Sequence, residues 1–443
     1  AEYFSEKFSG YISNSIHDVN KKIIIKRKRV GSRLLFFCTL KREKARQIMA
    51  KYFEEVAATV TLETAKDLEK YFEFAKTNSY VSSYCKETSI VGIENEPLLH
   101  INGAGEFVPD DRCPDVSKED FETAVVERGL FVMTPVNGDM KCYPSIYTAF
   151  NGLCARAGIK GTLICNTEES RNFVPMDAET RGNWLTYGFH HNKGAAKFRI
   201  CDGFVDACNS DGYIWLSEQK GYNAVVKALK KEHPNTAFSS GMVSHEYLYV
   251  ELDLNDDIAE DGFMQLLAQF GADVTKLRCG VYYCTSDVGN ACMSAFPFYE
   301  LNGTRFRLGK GITLRHEGDA SIAKFSELLK GLGMLFKEAE DTVEKLGNTN
   351  LKYPAGCLQQ IIENNKWLPA KAAKMELEDA VTLYGNGKES ATAFDVYLMV
   401  AHIIETQAVI KPMTPTQRVN FSEEVSKLLN FDYEKYDVPY IEE

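Results

Sequence analysis

Ser286-Asp-Val-Gly-Asn-Ala-Cys-Met-Ser-Ala-Phe-Pro-Phe-Tyr-Glu-Leu-Asn-Gly-Thr-Arg-Phe-Arg-Leu-Gly-Lys-Gly-Ile-Thr-Leu-Arg-His316 is the stretch on which the fold reading turns. Within it, Thr304-Arg-Phe-Arg-Leu308 alternates charged and apolar side chains. That period of two makes a strand, with Arg305 and Arg307 on one face and Phe306 and Leu308 on the other. No acidic residue lies between Leu301 and His316, whereas Arg305, Arg307, Lys310 and Arg315 all do. The wider chain is acidic, with a formal net charge of −11.

Outward from this strand, helices and strands alternate from Lys118 to about Thr313. The periodicity predicts helices at Lys118–Arg128, Pro144–Ala157, Ala178–Tyr187, Tyr222–Glu232 and Ala259–Phe270. It predicts strands at Gly129–Thr134, Ala196–Cys201, Tyr213–Leu216, Tyr247–Leu252, Arg278–Cys284 and Thr304–Leu308. Their spacing is too close and irregular for a regular βαβ array. An α+β fold follows, with an antiparallel or mixed sheet, flanking helices and a C-terminal helical region.

Beyond His316 the pattern is helical. Asp319 is placed to cap one long helix carrying Ile322, Phe325, Leu329, Leu332, Phe336, Ala339, Val343 and Leu346, closed by Gly347. Further helices are predicted at about Ala355–Asn364, Pro369–Tyr384, Ala391–Thr406 and Thr416–Leu429. Before the core, residues 20–39 read as a basic hairpin, followed by helices at about 42–58 and 63–76. The expected organisation is a basic hairpin and helical subdomain over 1–115, an α+β core over 116–318, helices over 319–431 and an acidic tail over 432–443. The tail is expected to be mobile or to dock on a partner.

Composition narrows the class. The chain has 443 residues, 44% apolar and 26% charged, as in a soluble globular protein. No apolar run approaches the length of a membrane span, and the first residues lack a signal peptide's basic and apolar regions. Twelve cysteines are dispersed without a C-x-x-C pair, which predicts small buried hydrophobes in a reducing cytoplasm. Residues 1–51 hold thirteen Lys/Arg against four Asp/Glu, about +9, leaving about −20 for the rest. A basic arm and an acidic remainder suit nucleic acid or a neighbouring subunit.

Catalytic motifs fail on inspection. Gly303 to Gly311 has five residues between its first two glycines, not four, and Gly311 stands where a phosphate loop needs Ser or Thr. In Asp253-Leu-Asn255-Asp-Asp257 the sixth position is Ile258 and the twelfth Met264, so no calcium loop forms. His190 and His191 are adjacent, and in a strand would point to opposite faces. No metal and no cofactor are expected.

Nucleic-acid binding remains as a chemistry. Lys197 and Arg199 bracket Phe198 in the same alternation as Arg305 and Arg307. With Lys310, Arg315 and the run Lys26, Arg27, Lys28 and Arg29, several basic strand faces would line a groove that tracks a phosphate backbone. His316 would extend that run. The competing reading is a solvated sheet face on an acidic protein.

Several short elements occur in a telling order: Ser286-Asp-Val-Gly289, Pro297-Phe-Tyr, Asn302-Gly303, Arg315-His316-Glu-Gly318 and, later, Thr392-Ala-Phe-Asp395-Val-Tyr397. In this the chain resembles the bacterial phage/plasmid-like protein family, over roughly residues 197–429. Leu301 stands where that family usually has a cysteine. The resemblance implies a mobile-element setting and no reaction. The expected function is non-enzymatic binding of single-stranded DNA in replication or recombination, as a cytoplasmic homo-oligomer without a membrane. The alternative is a self-assembling structural or host-interaction protein whose basic arm docks on a neighbour's acidic tail.

Overall fold

The structure is a computed structural model that describes residues 59–92, 99–101, 107–109, 129–159, 164, 174, 176–192, 196–270, 276–301, 304–307, 311–411, 413 and 415–442. The hairpin expected at 20–39, the helices expected at 42–58 and 118–128, and the basic residues Lys26, Arg27, Lys28, Arg29 and Lys310 lie outside them.

The fold is α+β, with antiparallel sheets and packed helices. In chain order the first elements are β1 (Val60–Leu62), α1 (Ala65–Asn78), β2 (Ser79–Ser83), β3 (Ser89–Gly92), β4 (Leu99–Ile101) and β5 (Phe107–Pro109). There follow β6 (Leu130–Val136), β7 (Asp139–Pro144), α2 (Tyr147–Ala157), α3 (Ala178–His191), β8 (Ala196–Cys201) and β9 (Phe204–Ser210). Then come α4 (Glu218–Leu229), β10 (Ala237–Val243), β11 (Leu248–Asp253), α5 (Asp257–Gln269), β12 (Leu277–Thr285), β13 (Met293–Leu301), β14 (Thr304–Arg307) and β15 (Ile312–Leu314). The helical region holds α6 (Ile322–Leu328), α7 (Leu332–Gly347), α8 (Pro354–Asn364), α9 (Ala370–Tyr384), α10 (Ala393–Ile410) and α11 (Pro415–Lys427).

The main sheet runs β1-β10-β11-β12-β13-β14, with β15 also paired to β13. One face is an aromatic core under helices. Tyr299 stacks on Phe263 of α5, Tyr283 meets Tyr222 of α4, and Phe306 meets Phe394 and Tyr397 of α10. Offset and edge-on ring contacts of this kind add to the burial term. The other face carries Tyr249, Tyr282, Phe296 and Phe298.

A second layer is made of two three-stranded sheets, β2-β8-β9 and β3-β6-β7, around Phe150, Leu153, Leu185, Phe189 and Phe198. Helix α3 sits directly on β3. A Cβ on Gly182 would lie 2.8 Å from Gly92 N and 2.9 Å from Ile90 O, so only glycine allows this approach.

Several expectations need correcting. Described elements from before residue 115 share sheets with later ones, since β1 pairs with β10 and β2 with β8. The long helix after His316 is two helices, α6 and α7, separated by a 3-10 turn at Leu329–Gly331. Gly331 and Gly333 weaken the helix there. Ser321, not Asp319, caps α6, accepting from Lys324 N at 3.2 Å, while Asp319 pairs with Lys324 Nζ. Residues 213–216 form no strand. His190 and His191 end helix α3 rather than lying in a strand. The acidic tail is seated on its own chain: Tyr433 is buried, and Asp437 accepts bonds from Lys352 N and Tyr353 N.

Among the described residues nine cysteines are free and seven of them buried. Burial pushes the Cys201 thiol up to about 12, which keeps it unreactive. Helix α10 is long and apolar enough, by composition, to cross a membrane. Eight of its residues, Ala393 and Tyr397 among them, are buried in the protein.

Candidate functional site

The basic face expected of β14 is spent inside the protein. Arg305 and Arg307 do share a face, opposite Phe306. However, Arg305 binds Glu300 through Nη2 at 2.8 Å and also pairs with Glu251. Its guanidinium stands 5.3 Å from the Phe298 ring centre. Arg307 is buried, 3.9 Å from the Phe296 ring centre. Burial lowers its pKa. Lys197 pairs with Asp211. His316 is buried too, and burial holds its pKa below the usual histidine range, so it adds no charge to the run. Only Arg315, its side chain 80% exposed, projects as expected among the described candidates. A continuous phosphate track is therefore not what these side chains form.

Arg199 leads to a different site. The alternation that suggested an exposed cation holds, since Phe198 enters the core, but the other face of β8 is also covered. Arg199 pairs with Asp206 of β9, and its Nη2 lies 3.0 Å from Asp287 Oδ2 and 3.4 Å from Ser79 Oγ. A β-bulge between Arg199 and Ile200 shifts the β8–β9 register at this point. Asp287 comes from the turn after β12, in the Ser286-Asp-Val-Gly289 element. Gly289 has a φ of +86°, and a Cβ there would meet Asn209 Oδ1 at 2.9 Å.

Glu218 closes the group. It is the first residue of α4, whose cap Ser217 accepts from Lys220 N. Tyr71 of α1 donates to Glu218 Oε2 at 2.8 Å, and Tyr283 donates to the Glu218 carbonyl at 2.9 Å. The segment before α4 holds the Asp287 turn: Tyr213 donates to Ser286 O at 2.9 Å, and Trp215 Nε1 to Asp287 O at 2.8 Å. His316 stacks on Tyr213, with ring centres 5.1 Å apart. Two of the elements that carried the family resemblance, at 286–289 and 315–318, thus meet here.

The electrostatics are unbalanced. Three carboxylates, Asp206, Asp287 and Glu218, surround one guanidinium. Burial pushes Asp206 up to about 7, and the attraction of Arg199 offsets only part of that. Burial and then the charge of Asp287 push Glu218 up to about 8. Burial disfavours the charge on Arg199, but Asp206 and Asp287 outweigh it and keep the guanidinium ionised. His245 is held neutral, down at about 4, by burial and by Arg199. The cluster therefore keeps a proton at neutral pH. Asp206 Oδ1, Asp287 Oδ1 and Asn209 Nδ2 are buried without a hydrogen-bond partner. Such orphaned atoms are costly and uncommon in folded proteins.

Arg199, Glu218 and Asp287 of this cluster line a cleft of about 310 Å³, together with Phe72, Tyr80, Trp215 and Lys76 among others. Sequence reading named Arg199 for the wrong reason and missed Tyr71, Asp206, Glu218 and Asp287. These come from five separate elements, so no local spacing joins them. Among the described residues no group of His, Cys, Asp and Glu is arranged to hold a metal ion.

No family model matches the chain, and neither a curated protein nor a solved structure matches it. The family likeness rests on the residues quoted for it alone.

Proposed function

We propose that this protein binds a small molecule in the Arg199–Asp287–Glu218 cleft. The ligand presents a cationic or hydroxyl donor to the carboxylates and an apolar face to Trp215 and Phe72. The observation that carries this reading is Asp287, which lines the cleft: Arg199 holds one of its carboxylate oxygens, and the other is buried without a hydrogen-bond partner. A ligand donor that reaches this oxygen through a small movement of the Asp287 side chain would satisfy it. Carboxyl groups shifted by burial cluster at binding and acid–base sites.

Thermal-shift screening with amines, guanidinium compounds, nucleosides and polyols tests it. A compound in one of these classes should raise the melting temperature of the wild type, and Asp287→Asn should abolish the rise. If no compound stabilises the protein, or if Asp287→Asn and Trp215→Ala leave the shift intact, the reading fails.

Binding of single-stranded DNA by a homo-oligomer is the second reading. It is supported by exposed Arg315, and by the basic composition of residues 1–51 and the mobile-element resemblance. Salt-dependent titration of a labelled oligonucleotide tests it, with Arg315→Glu and neutralisation of Lys26 to Arg29 as the variants. Affinity that ignores both changes refutes it.

A further inference from the structure

Residues 431–442 are held on the body of the chain as a peptide ligand would be. Tyr433 anchors the segment, buried and donating to Leu428 O at 3.0 Å. Past the short 3-10 turn Glu434–Tyr436, the attachment changes character. Asp437 spreads its carboxylate over the residues that enter α8, accepting from Lys352 N at 2.9 Å and Tyr353 N at 2.6 Å. Gly356 in the first turn of α8 lets the main chain lie flat on the helix. A Cβ there would stand 1.8 Å from Val438 O.

Two side-chain amides then each grip the N–H and C=O of one residue. Gln359 donates to Ile441 O at 2.9 Å and accepts from Ile441 N at 3.0 Å. Asn386 donates to Tyr440 O at 3.1 Å and accepts from Tyr440 N at 3.0 Å. Contacts of this type read backbone, not side chains. Apolar burial adds little, because Val438 is 37% and Ile441 66% exposed. A segment held mainly by hydrogen bonds, with little apolar area buried, opens at low cost.

The groove's ligand is thus defined on this chain: an extended segment with an aspartate at its head and free peptide groups three and four residues later. A second copy carries the same segment by necessity. We propose that the α8 groove, with Asn386 at its edge, exchanges its occupant and takes residues 437–442 of a second copy. The 434–436 turn is the hinge. Exchange of an identical element is a low-cost route to association. In a single chain the tethered segment competes at an effective concentration of order millimolar, so the cis form dominates in dilute solution.

Two full-length variants test this. Asp437→Lys disables the segment and leaves the groove intact, while Gly356→Val blocks the groove and leaves the segment intact. Each variant alone lacks one half of the contact. Their equimolar mixture should give a one-to-one heterodimer by native mass spectrometry, at levels neither variant alone forms. Should Gly356→Val fail to fold by near-UV circular dichroism, Gln359→Ala with Asn386→Ala replaces it. A labelled peptide spanning residues 431–443 should bind the Asp437→Lys chain at least tenfold more tightly than it binds the wild type. Folded variants that give no heterodimer and no peptide binding overturn the proposal.

Discussion

Glu300 and Arg305 stand directly opposite each other on β13 and β14, with Arg305 Nη2 2.8 Å from Glu300 Oε2. Arg305 also pairs with Glu251, which Arg278 reaches at 3.0 Å from another side. With Asp253, which Arg278 binds at 2.6 Å, these are five charges in one network on the sheet. Arg305→Glu would set four carboxylates around Arg278, three of them already in place. Breaking a mostly buried pair costs about 3–5 kcal/mol. Chemical denaturation should show a loss of that size, and a loss below about 1 kcal/mol would mean the network is solvated.

Tyr71→Phe removes the hydrogen bond to Glu218 Oε2 while keeping the ring in place. A hydrogen bond to a charged group contributes about 1.5–3 kcal/mol. The variant should be destabilised at pH 9, where Glu218 is ionised, and less so at pH 6, where it holds its proton. Urea melts at the two values measure the difference.

Stability should fall with rising pH in the wild type. Asp206 and Glu218 have folded-state pKa values raised to about 7 and about 8. Between roughly pH 4.5 and 8 the unfolded chain therefore binds fewer protons than the native one, and native stability declines. His245, lowered to about 4, has the opposite sign: it lends stability above pH 6.5 that is lost as pH falls towards 4. Glu218→Gln should flatten the decline between pH 6.5 and 8. Melting temperature as a function of pH reads this directly, and an unchanged slope in the variant would refute it.

Gly182→Ala sets two effects against each other. Alanine in a helix gains about 1 kcal/mol over glycine. Its Cβ, however, meets three backbone atoms of the 90–92 strand at 2.8–3.1 Å, and backbone cannot turn aside. Overpacking costs about 1–3 kcal/mol, and this contact lies at the upper end. The variant should melt lower than the wild type despite its better helix propensity.

Much of the fold was legible because its elements obey simple periods. The α+β class, strand β14 with its two faces, and the helices after residue 350 follow from spacing. Strand β13 was hidden by Pro297, which argues against an inner strand. The pairing explains it: β15 covers β13 as far as Ala295 and β14 begins at Phe298, so Pro297 falls in the gap between them. The partner of Arg305 was legible but overlooked. Glu300 lies one residue before the acid-free stretch that begins at Leu301, and the pairing of Leu301 with Thr304 sets it across from Arg305. The cleft was not legible, since Tyr71, Arg199, Glu218 and Asp287 meet only through tertiary packing. The Thr392-Ala-Phe-Asp395 element proved to be a capping box, with Thr392 accepting from Asp395 N at 3.1 Å and Asp395 accepting from Thr392 N at 2.8 Å.

Helix α10, which that box begins, has a consequence for synthesis. It packs against β14, α7, α8 and α9, all earlier in the chain, and then against α11. A ribosome therefore releases this most apolar helix after most of its docking surface has already been made. The interval in which a membrane-like segment stands bare is set by its own translation, not by a wait for later partners. Moving the helix to the start of the chain by circular permutation would lengthen that interval to nearly the whole time of synthesis.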